Sequence, residues 1–206
     1  MGRVLHRDLS EHNLMAIQVG DGGVKGVVND WDMSKFLDKD DDPLNAAEDR
    51  IGTPPFMATG LLMPDTPAKH YFRQELESMF WILIWAALHY NLKAKKRDKY
   101  AHRSVAGWLG NMDDNLTCKM AIFSYKDGPA RFLYPAIKRE FKPLIEEWIE
   151  PLRNLFSTSR FQYARNYTPD SDESTYDNRI TFKTFMKTIN VTPRTWGIPN
   201  FLDDDA

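Results

Sequence analysis

Ten consecutive apolar residues, Met79-Phe80-Trp81-Ile82-Leu83-Ile84-Trp85-Ala86-Ala87-Leu88, limit what this chain can fold into more than any other feature of its 206 residues. They lie inside a stretch from Phe72 to Tyr90 that is rich in strong helix formers, and after Leu76 apolar side chains fall on nearly every side of the helical period. A helix that is apolar all round must be enclosed by other elements. It is too short to span a bilayer, which takes about 20 apolar residues, and Arg73, Glu75 and Glu77 stand just before it. The expected centre of the fold is therefore a buried helix surrounded by other helices.

The rest of the chain supplies candidates for that shell. Helical patterns run from Tyr100 to Leu109, from Asn115 to Phe123, from about Ala130 to Phe141, and from Pro143 through Trp148 toward Phe156, with a kink expected at Pro151. Upstream, the β-rich runs Leu14 to Val19 and Val24 to Asn29 are joined by Gly20-Asp21-Gly22-Gly23, which reads as a hairpin. Between Met33 and Pro67 the sequence predicts a long ordered loop with short helical turns near Pro43-Leu44-Asn45-Ala46-Ala47. The predicted organisation is a predominantly α-helical body over residues 1–156 and a C-terminal extension over 157–206. That extension, with one amphipathic piece at Thr181 to Ile189, is expected to pack partly on the body and to fray at its end.

Composition excludes several classes. The formal net charge of -2 gives no general drive toward nucleic acid. The basic run Lys93-Ala94-Lys95-Lys96-Arg97-Asp98-Lys99 is offset by Asp40-Asp41-Asp42 and Asp203-Asp204-Asp205 and reads as a solvated helix end and loop. The single cysteine, Cys118, is expected to be a small buried hydrophobe and fits a reducing compartment. No apolar signal segment opens the chain, and Gly2 lacks the context of a myristoylation site. The expectation is an intracellular, cytoplasmic or nuclear, protein with neither nucleic acid nor membrane as partner.

The predicted hairpin carries Asn13 at one base and Asp30 at the other, so that both side chains can converge near Asp8. Phosphoryl transfer needs a carboxylate to orient and accept the proton of an incoming hydroxyl, and metal ions to neutralise the phosphates. Asp8, Asn13 and Asp30 are residues of those types. His6-Arg7-Asp8 followed by Asn13 resembles the catalytic loop of eukaryotic protein kinases, and Asp30-Trp31-Asp32 resembles their metal-binding turn in altered form. Gly52-Thr53-Pro54-Pro55-Phe56-Met57-Ala58 is similar to the end of an activation segment, and Glu75-Leu76-Glu77-Ser78-Met79-Phe80 to the start of the central helix of the kinase C-lobe. The serine two residues after Asp8, the Asp-Trp-Asp turn and the Leu-Glu-Ser helix start together resemble the fungal-type protein kinase family.

The resemblance implies a kinase-like C-lobe, Mg²⁺ and ATP as cofactors, and a protein or peptide as phosphoacceptor. It makes Asp8 the base, Asn13 and Asp30 the metal and nucleotide ligands, and His6 a structural residue of the catalytic turn. Arg7 is implied to pair with an acidic or phosphorylated residue of the activation segment. Ser10 stands where many relatives have a lysine near the transferred phosphate. Ser34, Thr53 and Phe56 belong to the activation or substrate segment, with Ser34 and Thr53 as phosphate carriers and Thr53 bonding near Asp8. Glu75 is implied to tie the catalytic loop to the helical core, from a position where relatives commonly have Asp. Two further departures are Asp32, in place of a glycine, and Gly60, in place of a glutamate that closes the activation segment.

No Gly-rich loop, lysine strand, acidic partner helix or hinge precedes His6. The expectation is a C-lobe whose N-terminal β-rich lobe is absent, incomplete and inactive by itself, with an exposed apolar face suited to self-association or a trans-acting partner. Two alternatives stand beside it: a pseudokinase-type binding or regulatory module, and a small-molecule phosphotransferase related to aminoglycoside and choline kinases, whose turn the Asp-Trp-Asp sequence also resembles.

Overall fold

The computed structural model describes residues 4–20, 22–36, 51–63, 69–124 and 127–192. The turns expected near Pro43, the acidic runs at 40–42 and 203–205, and the frayed end of the extension lie outside these residues.

Helix α1 (Phe72–His89) is the expected central helix. It starts where the Tyr71 N–H donates to the Gln74 side chain at 2.7 Å, one half of a capping box, and stops where Tyr90 turns extended. Phe80, Trp81, Ile84 and Ala87 along it are completely buried. Around Trp81 the rings of Phe80, Phe123 and Trp108 lie 4.8, 4.9 and 5.3 Å away, offset or edge-on rather than face to face, as aromatic quadrupoles prefer. Ile122, Phe123, Leu152, Phe156, Ile180 and Phe185 complete the same cluster.

The shell departs from the predicted helices where the backbone's own chemistry intervenes. The stretch expected to be helical from Tyr100 is a 3₁₀ helix over Arg103–Leu109. It begins late because the His102 N–H is held by the His89 ring at 2.8 Å. Helix α2 (Met112–Ser124) starts earlier than predicted, capped by Asn111 Oδ1, which accepts the Asp114 N–H at 2.8 Å. The single helix expected over Ala130–Phe141 is replaced by helix α3 (Gly128–Phe132) and two 3₁₀ turns, Tyr134–Ala136 and Arg139–Phe141. Pro135 withholds a donor there, and the Lys138 N–H leaves the segment to bond Ala87 O at 2.9 Å. At Pro151 the chain does not break. A π-helical turn, Ile145–Ile149, widens the backbone just ahead of helix α4 (Glu150–Arg165), so the proline enters near the start of an α-helix, where a missing N–H is tolerated. Residue 156 lies within α4, and helix α5 (Phe182–Thr188) packs Phe185 into the α1 cluster.

The expected hairpin is present, and the described residues add two more two-stranded antiparallel pairs. Strand β1 (Val4–Leu5) pairs with β4 (Lys35–Phe36), and β2 (Leu14–Gln18) with β3 (Val24–Val28) in the register Leu14↔Val28. The β2–β3 turn uses a positive φ of 78° at Gly22. Strand β5 (Tyr90–Asn91) pairs with β6 (Lys96–Arg97), within the stretch expected to be a solvated helix end. No described helix is long and apolar enough to cross a membrane.

Candidate functional site

Strands β1 and β2 hold between them the loop that carries His6 to Asn13. Its entry is strained. Arg7 has φ 70°, a left-handed conformation uncommon for a residue with a side chain, and persists there because its N–H donates to Glu75 Oε1 at 2.9 Å. The same oxygen receives His70 Nε2 at 2.8 Å, so the Glu75 carboxylate on α1 anchors the loop from beneath.

Asp8 is held from two directions. Asn13 Nδ2 donates to the Asp8 carbonyl at 2.9 Å, which orients the amide with Oδ1 as its acceptor end. Thr53 Oγ1 donates to Asp8 Oδ1 at 2.6 Å across 45 residues of sequence. His6 links this loop to the Asp30 turn. Its Nδ1 accepts the Asp8 N–H at 3.3 Å, so Nε2 carries the ring proton and donates to Asn29 O at 2.8 Å. The Asn29 N–H in turn donates to Asn13 O at 2.8 Å. Asp30, the next residue, is exposed and left-handed at φ 63°. Trp31 packs edge-on against His6 with ring centroids 4.8 Å apart.

Asp8, Asn13, His6 and Thr53 are thus joined in one hydrogen-bonded group, with Asp30 at its margin. Among the other expected site residues, Ser34 is half-buried and its N–H bonds Trp31 O at 2.9 Å. Ser10 is only 3% exposed, so its hydroxyl has no open approach from solvent. Phe56 is 2% exposed and meets Trp85 edge-on at 5.6 Å, so it fastens its segment to the core. The Arg7 Nε is buried without a hydrogen-bond partner among the described residues.

The segment 51–63 crosses Asp8 and is bolted down despite Gly60. Gly52, at φ 139°, passes close enough to Arg7 that an added Cβ would sit 3.3 Å from the Arg7 carbonyl. Beyond it, Asn115 Nδ2 donates to Pro54 O at 2.6 Å, and Lys119 Nζ to Met57 O at 2.6 Å. Glu77 Oε1 accepts both the Thr59 N–H at 2.7 Å and Trp81 Nε1 at 3.1 Å. Lys119 is completely buried, and that burial lowers its pKa to about 7 against an opposing pull from Glu77. Where a glutamate was expected at 60, a Cβ would already meet Gln74 Nε2 at 3.1 Å. Glu77 and Lys119 do the anchoring instead.

Reasoning from sequence missed Glu11, His70, Glu77, Asn115 and Lys119. Glu11 stands beside Ser10, yet nothing local shows that its carboxylate receives Tyr90 OH at 3.0 Å and the Arg97 guanidinium. Only for Glu77 was there a signal, a charge two residues before the run Met79 to Leu88.

Among the described residues no group of three or more His, Cys, Asp or Glu side chains forms a ready-made metal cage. Asn13, 8% exposed, and the exposed Asp30 carry hard oxygen atoms at the two strands' ends that the Asn29–Asn13 bond joins. That donor set fits Mg²⁺, which keeps several waters and leans on substrate phosphates. The hairpin beside it is open, with Met15, Ile17 and Val24 all well exposed.

Residues 1–87 match the family model of the fungal protein kinases. The matched stretch contains His6, Asp8, Asn13, Asp30, Thr53 and Glu75 and ends within α1. A search of curated proteins finds no match to the chain.

Proposed function

We propose, from the match of residues 1–87 to fungal protein kinases, that this chain forms the C-lobe side of a kinase site that transfers phosphate from ATP to a protein Ser or Thr hydroxyl. The observation that carries the reading is the bond from Thr53 to Asp8, since it places a substrate-segment hydroxyl on the carboxylate that would accept the acceptor's proton. Asp8 orients the incoming hydroxyl and takes its proton. His6, fixed as the Nε2–H tautomer, keeps the Asp8 loop and the Asp30 turn in register. Asn13 and Asp30 would hold Mg²⁺, which, when bound, neutralises the phosphate oxygens. Arg7 and Glu75 hold the loop in its strained form.

A peptide acceptor is favoured over a small molecule because segment 51–63, with its 3₁₀ turns Pro54–Phe56 and Thr59–Leu61, is anchored beside Asp8 as a fixed shelf. The 206 residues contain neither a Gly-rich phosphate loop nor a lysine strand. The proposal for these residues is therefore the Asp8 and Asn13–Asp30 side of the site.

Calorimetric titration of the full chain with Mg²⁺-ATP tests it, with Asp30→Asn alongside. Binding that needs the metal and is lost in the variant is the expected result. A folded chain with no metal-dependent nucleotide binding would leave a non-catalytic binding module in its place.

A further inference from the structure

We propose that hairpin β5–β6 is a docking surface for acidic residues of the phosphoacceptor peptide, aligned with Asp8 through Glu11. This deepens the proposed function and rests on Asp8 as the base that receives the acceptor hydroxyl.

The run Lys93 to Lys99 is not the tail of a helix. After α1 the chain turns back on itself, Tyr90 pairing with Arg97 and Asn91 with Lys96. Asn91 Oδ1 accepts the Ala94 N–H at 2.8 Å, and Lys95 takes φ 50° to close the turn. The base of the hairpin is fixed, because the Asp98 N–H donates to His89 O at 2.8 Å and Lys138 Nζ pairs with Asp98 at 2.7 Å. A flexible charged loop would not be tied in this way.

The hairpin is also fastened to the candidate catalytic loop. Glu11, three residues beyond Asp8, receives Tyr90 OH at 3.0 Å on one oxygen and Arg97 on the other, and its side chain is only 4% exposed. Burial, with the Glu11 carboxylate beside it, pushes the Tyr90 hydroxyl up, so the phenol stays a donor. These bonds use the charge of Arg97. Lys93, Lys95 and Lys96 are exposed, and among the described residues no carboxylate pairs with any of them. Lys99 only overlies the exposed Tyr100 ring, at 5.4 Å. A chain whose net charge is -2 therefore gathers ammonium groups with no carboxylate partner among the described residues on one hairpin, which Glu11 ties to the loop that carries Asp8.

Acidic peptide fits this surface better than nucleic acid. The charges are lysines, compact point charges suited to single carboxylates, and the overall negative charge opposes a long polyanion. The covalent path from Asp8 to Glu11 spans at most about 11 Å, and the Glu11–Arg97 contact brings the total to roughly 20 Å. An extended peptide advances about 3.3 Å per residue, so the acidic residues should lie within about six positions of the acceptor.

The test measures, by fluorescence anisotropy on the full chain, binding of a Ser-containing peptide with flanking Glu residues and of its Gln and Lys counterparts. The variant K93E/K95E/K96E is compared with the natural sequence. The expected result is a preference for the Glu peptide that falls about ten-fold in the variant, shifts toward the Lys peptide and weakens with added salt. A reversed preference is something a merely structural hairpin would not produce. Equal binding of the Glu and Gln peptides, a preference unchanged in the variant, or tighter binding of single-stranded RNA than of the Glu peptide would overturn the proposal. Loss of Mg²⁺-ATP binding with the peptide preference intact would instead count against the phosphotransfer reading alone.

Discussion

Two regions meet at Asp8 and are built in opposite ways. On one side, segment 51–63 reaches Asp8 through Thr53 and is held from beneath by buried charged groups, Glu77 and Lys119, whose bonds go mostly to backbone atoms. On the other, hairpin β2–β3 reaches the site through Asn13 and the Asn29 peptide and then projects apolar side chains into solvent. The first region is fastened to the fold mainly through its own backbone atoms. The second has its backbone matched but its surface open, as a wall does when it is built to receive something else. Rigidity is concentrated where a proton would be taken, and openness where a nucleotide would enter.

The largest expected effect tests the closed side. Glu77→Ala leaves two buried donors, the Thr59 N–H and Trp81 Nε1, without an acceptor. It should lower stability by about 2–4 kcal/mol in denaturant unfolding, with Glu77→Gln milder. A change near zero would mean that segment 51–63 is held by packing alone. Glu75→Ala orphans the Arg7 N–H and frees His70. A loss of about 1–3 kcal/mol is expected, with faster amide exchange at Arg7 and Asp8. Unchanged exchange there would show that the strained loop does not depend on α1.

The pH response should carry the same signature. Lys119 has a folded-state pKa near 7, below its usual 10.5, so between those values the unfolded chain binds more protons and stability rises with pH. His89 acts in the same sense. Its ring accepts the His102 N–H and donates to Trp85 O, burial lowers its pKa below the usual 6.5, and acidification through that range destabilises. Burial raises the Cys118 thiol, which opposes the trend from about pH 9 upward. Denaturant midpoints should therefore climb from about pH 6 to about pH 9, and Lys119→Met should flatten the upper half of that rise. A flat profile in the natural chain would place Lys119 in a wetter setting than its burial implies.

The smallest effect belongs to the open side. Met15→Ser and Ile17→Ser should each change stability by less than about 1 kcal/mol, since about half of each residue already faces water. A larger loss would show that the hairpin surface is already covered, by a second copy or by residues of the chain outside those described.

Much of the site was legible because its motifs are local. His6, Asp8 and Asn13 sit within eight residues, and a hairpin is the natural way to return the chain to Asp30. The central helix was equally legible, since an apolar run flanked by charges leaves few other solutions. The shell was harder. The helix expected over Ala130–Phe141 fails at Pro135 because a backbone donor is missing, and the basic run folds as a hairpin because Asn91 and Lys95 favour a turn that net hydrophilicity hides.

By itself the sequence determined a buried helix, the grouping of Asp8, Asn13 and Asp30 close along the chain, and a family resemblance that the match over residues 1–87 supports. Only the tertiary structure decided that Glu77 and Lys119 fasten segment 51–63, that Phe56 packs against Trp85, and that Glu11 fastens a lysine-rich hairpin to the loop. The reason is physical. Periodicity and turn chemistry act between near neighbours, whereas a buried polar group takes its partner from whichever segment packing brings within about 3 Å, and no local pattern encodes that choice.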